Sequence, residues 1–61
     1  LTARETEILK WSAMGKTASE IAAILCLSER TVGFHISSTF KKLGVHNKIQ
    51  AVLRAAKAGL F

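Results

Sequence analysis

The 61-residue sequence predicts an all-α fold of four helices, and three observations support that prediction. It contains no proline and only four glycines, and it is rich in Ala, Leu, Ile, Lys and Glu, which favour helix. Helix-start signals recur at Thr2, Thr17, Ser28 and Asn47, and glycines stand where three of the four helices should stop. About half the residues are apolar, enough for one small core, and the chain is near the lower size limit of a domain that folds unaided.

The first helix spans 3–14. Thr2 and Glu5 form a T-x-x-E capping box, in which each side chain satisfies a backbone N–H left open by the helix start. Its apolar stripe is Leu1, Ile8, Leu9 and Ser12, with Trp11 and Ala13 beside it, and Gly15 ends it. The second helix, 18–25, opens on the same box at Thr17 and Glu20 and buries Ile21, Ala22 and Leu25. Cys26 closes it as a small apolar residue. Ser28 then caps a third helix, 29–43, which Gly44 ends. About three residues join helices 2 and 3, too few for antiparallel packing, so the pair crosses steeply as in a helix-turn-helix. Asn47, with Gln50 at the capping-box position, opens a fourth helix, 48–58, before Gly59.

At about 100° per residue, Val32, Ile36, Thr39, Phe40 and Leu43 share one arc of helix 3, the core stripe. Arg30, Phe34, Ser37, Ser38 and Lys41 share the opposite arc, which puts an aromatic ring in the middle of a solvent face. His35 and Lys42 lie between the two. An exposed ring between two cations and ringed by hydroxyls suits a DNA groove. Arg and Lys reach phosphates or guanine edges, hydroxyls reach either, and Phe packs on a thymine methyl. The same ring could instead be a scattered surface hydrophobe or dock another protein.

Charge favours a polyanion. Residues 1–29 carry three basic and four acidic side chains; residues 30–61 carry six basic and none acidic. Helix 4 has two apolar stripes: Val52, Ala55 and Gly59 with Ala51 alongside, and Ile49, Leu53, Ala56 and Leu60. One stripe suffices for a small core, so the second is a candidate surface for pairing with another copy. The alternative is one wide stripe covered by helix 1 and by Leu60-Phe61.

The remaining chemistry is sparse. A single cysteine excludes an internal disulfide and fits a reducing, cytoplasmic compartment. Cys26, His35 and His46 match no familiar metal-ligand spacing, so neither metal nor cofactor is expected. There is no nucleophile–base pair and no glycine-rich phosphate loop, so an enzyme is not expected. No apolar run approaches the roughly 18–20 residues of a membrane span, and the dispersed cations lack the large apolar face of a lipid-surface helix.

The segments L-T-A-R-E-T-E-I-L-K-W, G-K-T-A-S-E-I-A-A-I-L, S-E-R-T-V-G-F-H, K-K-L-G-V-H-N-K-I-Q-A-V and A-G-L together resemble the LuxR-type helix-turn-helix DNA-binding domain, over essentially the whole chain. L-K-W, G-K-T, F-H and N-K-x-Q-A-V look most like its quorum-sensing branch, whose members carry an acyl-homoserine lactone domain on the N-terminal side. The response-regulator branch shares the fold. The resemblance implies a single domain, 1–61, acting as the C-terminal module of a longer transcriptional regulator. In such a module helix 3 enters the major groove of double-stranded DNA, helix 2 braces it, and helix 4 pairs two copies on a roughly palindromic site. RNA polymerase is a candidate partner of a full-length parent.

By resemblance, Thr17 and Thr31 match phosphate-holding positions, while Glu20, Ile21, Val32, His35, Leu43 and Ala51 match structural ones. The position after T-V, commonly lysine or asparagine in the family, is Gly33 here, so more of the readout falls on its neighbours. The candidate DNA contacts are Lys16, Thr17, Ser28, Arg30, Thr31, Phe34, Ser37, Ser38, Lys41 and Lys42. The candidate pairing residues are Ile49, Leu53, Ala56 and Leu60.

Overall fold

The computed structural model describes residues 1–60; Phe61 lies outside the described residues. Four helices follow in order: α1 (Ala3–Ala13), α2 (Ala18–Leu25), α3 (Glu29–Leu43) and α4 (Lys48–Lys57). The first and last each stop one residue short of the expected end, with Met14 and Ala58 as C-caps.

Both capping boxes form. Thr2 N donates to Glu5 Oε1 at 2.8 Å while Glu5 N donates to Thr2 Oγ1 at 3.1 Å, and Thr17 and Glu20 repeat the pattern at 2.9 and 3.2 Å. Ser28 Oγ and Asn47 Oδ1 cap α3 and α4 by accepting from Thr31 N and Gln50 N.

The four helix ends share one device: a left-handed residue followed by an N–H that donates five residues back. Lys16, Leu27, Val45 and Leu60 donate to Trp11, Ala22, Phe40 and Ala55, which is the Schellman closure. Three of the left-handed residues are Gly15, Gly44 and Gly59, but the fourth is Cys26, at φ 57°. Cys26 is exposed, so it terminates α2 by its backbone conformation and not as a packed apolar residue. The residues after three of these turns, Leu27, Val45 and Leu60, fold inward onto the core, as the motif's apolar contact requires.

Two buried clusters result, and α1 bridges them. Ile8 joins Ile21, Ala22 and Val32; the next residue, Leu9, joins Val45, Ala51 and Ala55. Turning about 100° per residue, α1 presents these neighbours to opposite halves of the domain. Complete burial of Ile8, Ile21 and Val32 stabilises the fold by about 1.5–3 kcal/mol each relative to exposure. α3 packs against α1, α2 and α4 and so is held on three sides, leaving one face for solvent.

Leu1, Leu25 and Leu60 depart from their expected places. Leu1 is exposed because it precedes the Thr2 cap and lies off the helical stripe. Leu25 is half-buried at the rim of the first cluster. Leu60 was expected on the second stripe of α4, but the helix ends at Lys57. The chain turns at Gly59, and Leu60 packs against the Leu9–Ala55 cluster. Among the described residues no helix is long and apolar enough to cross a membrane.

Candidate nucleic-acid interface

The turn Cys26–Ser28 sets α3 against α2, and the three-sided packing of α3 decides which side chains remain free. Val32 and Thr39 are buried, and Thr39 Oγ1 donates to His35 O at 2.7 Å, which satisfies its hydroxyl within the helix. On the opposite side Arg30, Phe34, Ser37 and Lys41 are exposed together. Phe34 is 71% exposed, although burying such a ring would stabilise the fold by about 1.5–3 kcal/mol. It stands edge-on to His35, with ring centroids 5.9 Å apart. Phe34, Ser37, Ser38 and Lys41 line a shallow groove of about 220 Å³.

Other candidate contacts are already engaged. Ser28 Oγ accepts from Thr31 N and donates to Thr31 Oγ1 at 2.9 Å, and Thr31 is half-buried. Thr17 is exposed at the start of α2, its hydroxyl accepting from Glu20 N. The backbone N–H of Thr17, donating to Glu20 Oε1, holds the Glu20 carboxyl below its ordinary range, with the Thr17 hydroxyl and the Lys16 charge assisting. Lys16 is half-buried, its backbone closing α1.

Two candidates differ from these. Ser38 is half-buried although it lines the groove beside Phe34, and Lys42, itself exposed, is paired with Glu5. Glu5 is 3% exposed, and its Oε1 accepts from Lys42 Nζ at 2.8 Å, across 37 residues of chain. The carboxyl is lowered from 4.5 to about 2. Lys42 contributes most and the Thr2 N–H next; burial opposes, and the Ser38 and Thr2 hydroxyls assist. From sequence Glu5 reads only as a cap partner. Its meeting with Lys42 depends on the tertiary crossing of α1 and α3.

On α4, Ile49 and Leu53 are 73% and 65% exposed and Ala56 is exposed beside them, whereas Ala51 and Ala55 are fully buried. The two stripes of α4 therefore part: one enters the core, and the other stays in solvent without Leu60. Arg54 Nη1 reaches Leu43 O at 3.4 Å, tying α4 to the end of α3.

Two packed helices joined by a three-residue turn, the second of them cationic and exposed on one face, form the helix-turn-helix of a DNA-binding domain. Residues 1–55 match the family described as bacterial regulatory proteins, luxR family, and the chain belongs to it. It is 53% identical over 61 residues to the transcriptional activator protein AnoR of Acinetobacter nosocomialis, covering all of this chain and 26% of that protein. It is equally similar, at 53% over 61 residues, to the quorum sensing-dependent transcriptional regulator RpaR of Rhodopseudomonas palustris, of which it covers 25%. Among solved structures it resembles the transcription factor GerE, with a TM-score of 0.94 and 40% identity over 98% of this chain and 90% of that one. It also resembles the response regulator ChrA of a heme-sensing two-component system, with a TM-score of 0.96 and 39% identity over all of this chain and 30% of that one. The chain thus spans about a quarter of the length of the curated relatives it matches.

Proposed function

We propose that this chain is the DNA-reading module of a quorum-sensing transcriptional regulator, in which α3 enters the major groove and α4 pairs two copies on a palindromic site. The observation that carries the reading is the free face of α3, where Arg30, Phe34, Ser37 and Lys41 stand exposed together on a helix fixed on its other sides. Arg30 and Lys41 supply phosphate or guanine contacts, Ser37 supplies a hydroxyl, and Phe34 supplies an apolar surface for a thymine methyl. The N-termini of α2 and α3, with Thr17 and Thr31, supply further N–H and hydroxyl groups to the backbone phosphates.

Ile49, Leu53 and Ala56 support pairing through α4, since an apolar ridge left in solvent gains by meeting its own copy. Two linked heads bind more tightly than one because the second contact becomes intramolecular. The quorum-sensing assignment rests on the likeness to RpaR; the likeness to ChrA favours a response-regulator output domain as the second reading. Either parent would act in the cytoplasm, where the DNA is.

Site selection from a random duplex pool tests the reading. The expected product is a two-fold-symmetric site whose half-sites change in preference with Phe34→Ala or Ser37→Ala. Enrichment of no sequence would overturn base readout by α3.

A further inference from the structure

Resting on the reading of α3 as the DNA-binding helix, we propose that Glu5 is a positioning residue that withdraws Lys42 from the reading surface, leaving Arg30 and Lys41 as the cations α3 offers to DNA. The carboxylate is buried at the start of α1, where its bond to Thr2 N fixes it from its own helix. Lys42 Nζ comes to it from the far end of α3. Glu5 thereby grips one edge of α3, fixing both the roll of the helix and the charge it presents.

Sequence spacing makes Lys41 and Lys42 look equivalent, but the structure separates them. Both side chains are exposed, yet only Lys42 has an anionic partner, at hydrogen-bond distance. A phosphate reaching Lys42 must share its ammonium with a carboxylate already bonded at 2.8 Å, whereas among the described residues Lys41 has no such competitor. Among the described residues the other ion pair, Arg4–Glu7 at 3.2 Å, lies exposed along one helix and joins no two elements.

The test is the salt dependence of binding to a mixed-sequence duplex, followed by fluorescence anisotropy with the 61-residue chain and its variants. Each phosphate contact contributes about 0.9 to the log–log slope. Lys41→Ala is expected to lower the slope by that amount and Lys42→Met to leave it unchanged. Glu5→Gln, which frees Lys42, is expected to steepen it by one contact, and the double variant Glu5→Gln/Lys42→Met to restore the original value. A fall of about 0.9 for Lys42→Met would overturn the proposal, as would an unchanged slope for a folded Glu5→Gln.

Amine acetylation of the unmutated chain, read by mass spectrometry, decides the case if a variant fails to fold. Lys42 should react more slowly than Lys41 in the free protein, and added duplex should slow Lys41 alone. Slowing of Lys42 by DNA would overturn the proposal. Absence of any DNA binding by the unmutated chain is a different result and would refute the reading of α3 itself.

Discussion

Gly33 lies inside α3, exposed, and a Cβ placed there meets no heavy atom within 4 Å. Its φ is not in the left-handed region, so nothing in its conformation or surroundings requires glycine. Gly33→Ala is therefore predicted to stabilise the domain by about 1 kcal/mol, the helix-interior difference between the two residues. In a domain this small, that raises the unfolding midpoint by about 4–8 °C, measurable by far-ultraviolet circular dichroism. Gly33→Lys should keep most of that gain and also place a cation one turn from both Arg30 and Ser37. Its duplex-binding slope is predicted to steepen by about 0.9, one added phosphate contact. A lower midpoint for Gly33→Ala would show that the helix uses the freedom of glycine. An unchanged slope for a stable Gly33→Lys would place the position off the phosphate path.

Cys26 holds a left-handed conformation that costs an L-residue about 1–2 kcal/mol, against about 0.5–1 kcal/mol for the extra chain entropy of glycine. Cys26→Gly should raise stability by up to about 1 kcal/mol in denaturant unfolding, and a loss would refute the strain assignment. Leu53 is mostly exposed, so Leu53→Asp should leave helicity intact and yield monomers in sedimentation experiments; an unchanged sedimentation profile would count against pairing through α4. The Glu5 carboxyl lies lower in the folded chain than its ordinary 4.5, so its contribution is present above that pH and is lost as pH falls towards 2. An acid scan of the unfolding midpoint should show this loss in the parent and a flatter profile in Glu5→Gln.

The helices were legible because their boundaries are written locally. A T-x-x-E box or a glycine after the last turn acts within a few residues, and all four N-cap side chains accept as predicted, although Gln50 Oε1 closes on His46 N and not on Asn47 N. The core side of α3 was legible from periodicity, since Val32 and Thr39 fall on the expected arc. The Glu5–Lys42 pair was not legible, because its members are 37 residues apart and meet only through the crossing of α1 and α3. Ser38 sat at the limit of the solvent arc, where a helical wheel cannot say which neighbour leans over it. A helical period carried past Gly59 misplaces Leu60, because α4 ends at Lys57. Cys26 gave no signal, since the Schellman turn that glycine usually announces is made here by a residue with a side chain.

The most direct test of the central claim is titration of the chain with mixed-sequence duplex DNA at several salt concentrations, with Arg30→Ala and Lys41→Ala alongside. Binding is expected at low salt, with a log–log slope equivalent to several phosphate contacts and a loss of about 0.9 from that slope in each variant. Absence of binding at low salt, or slopes unmoved by both substitutions, would contradict the assignment of the exposed face of α3 to DNA.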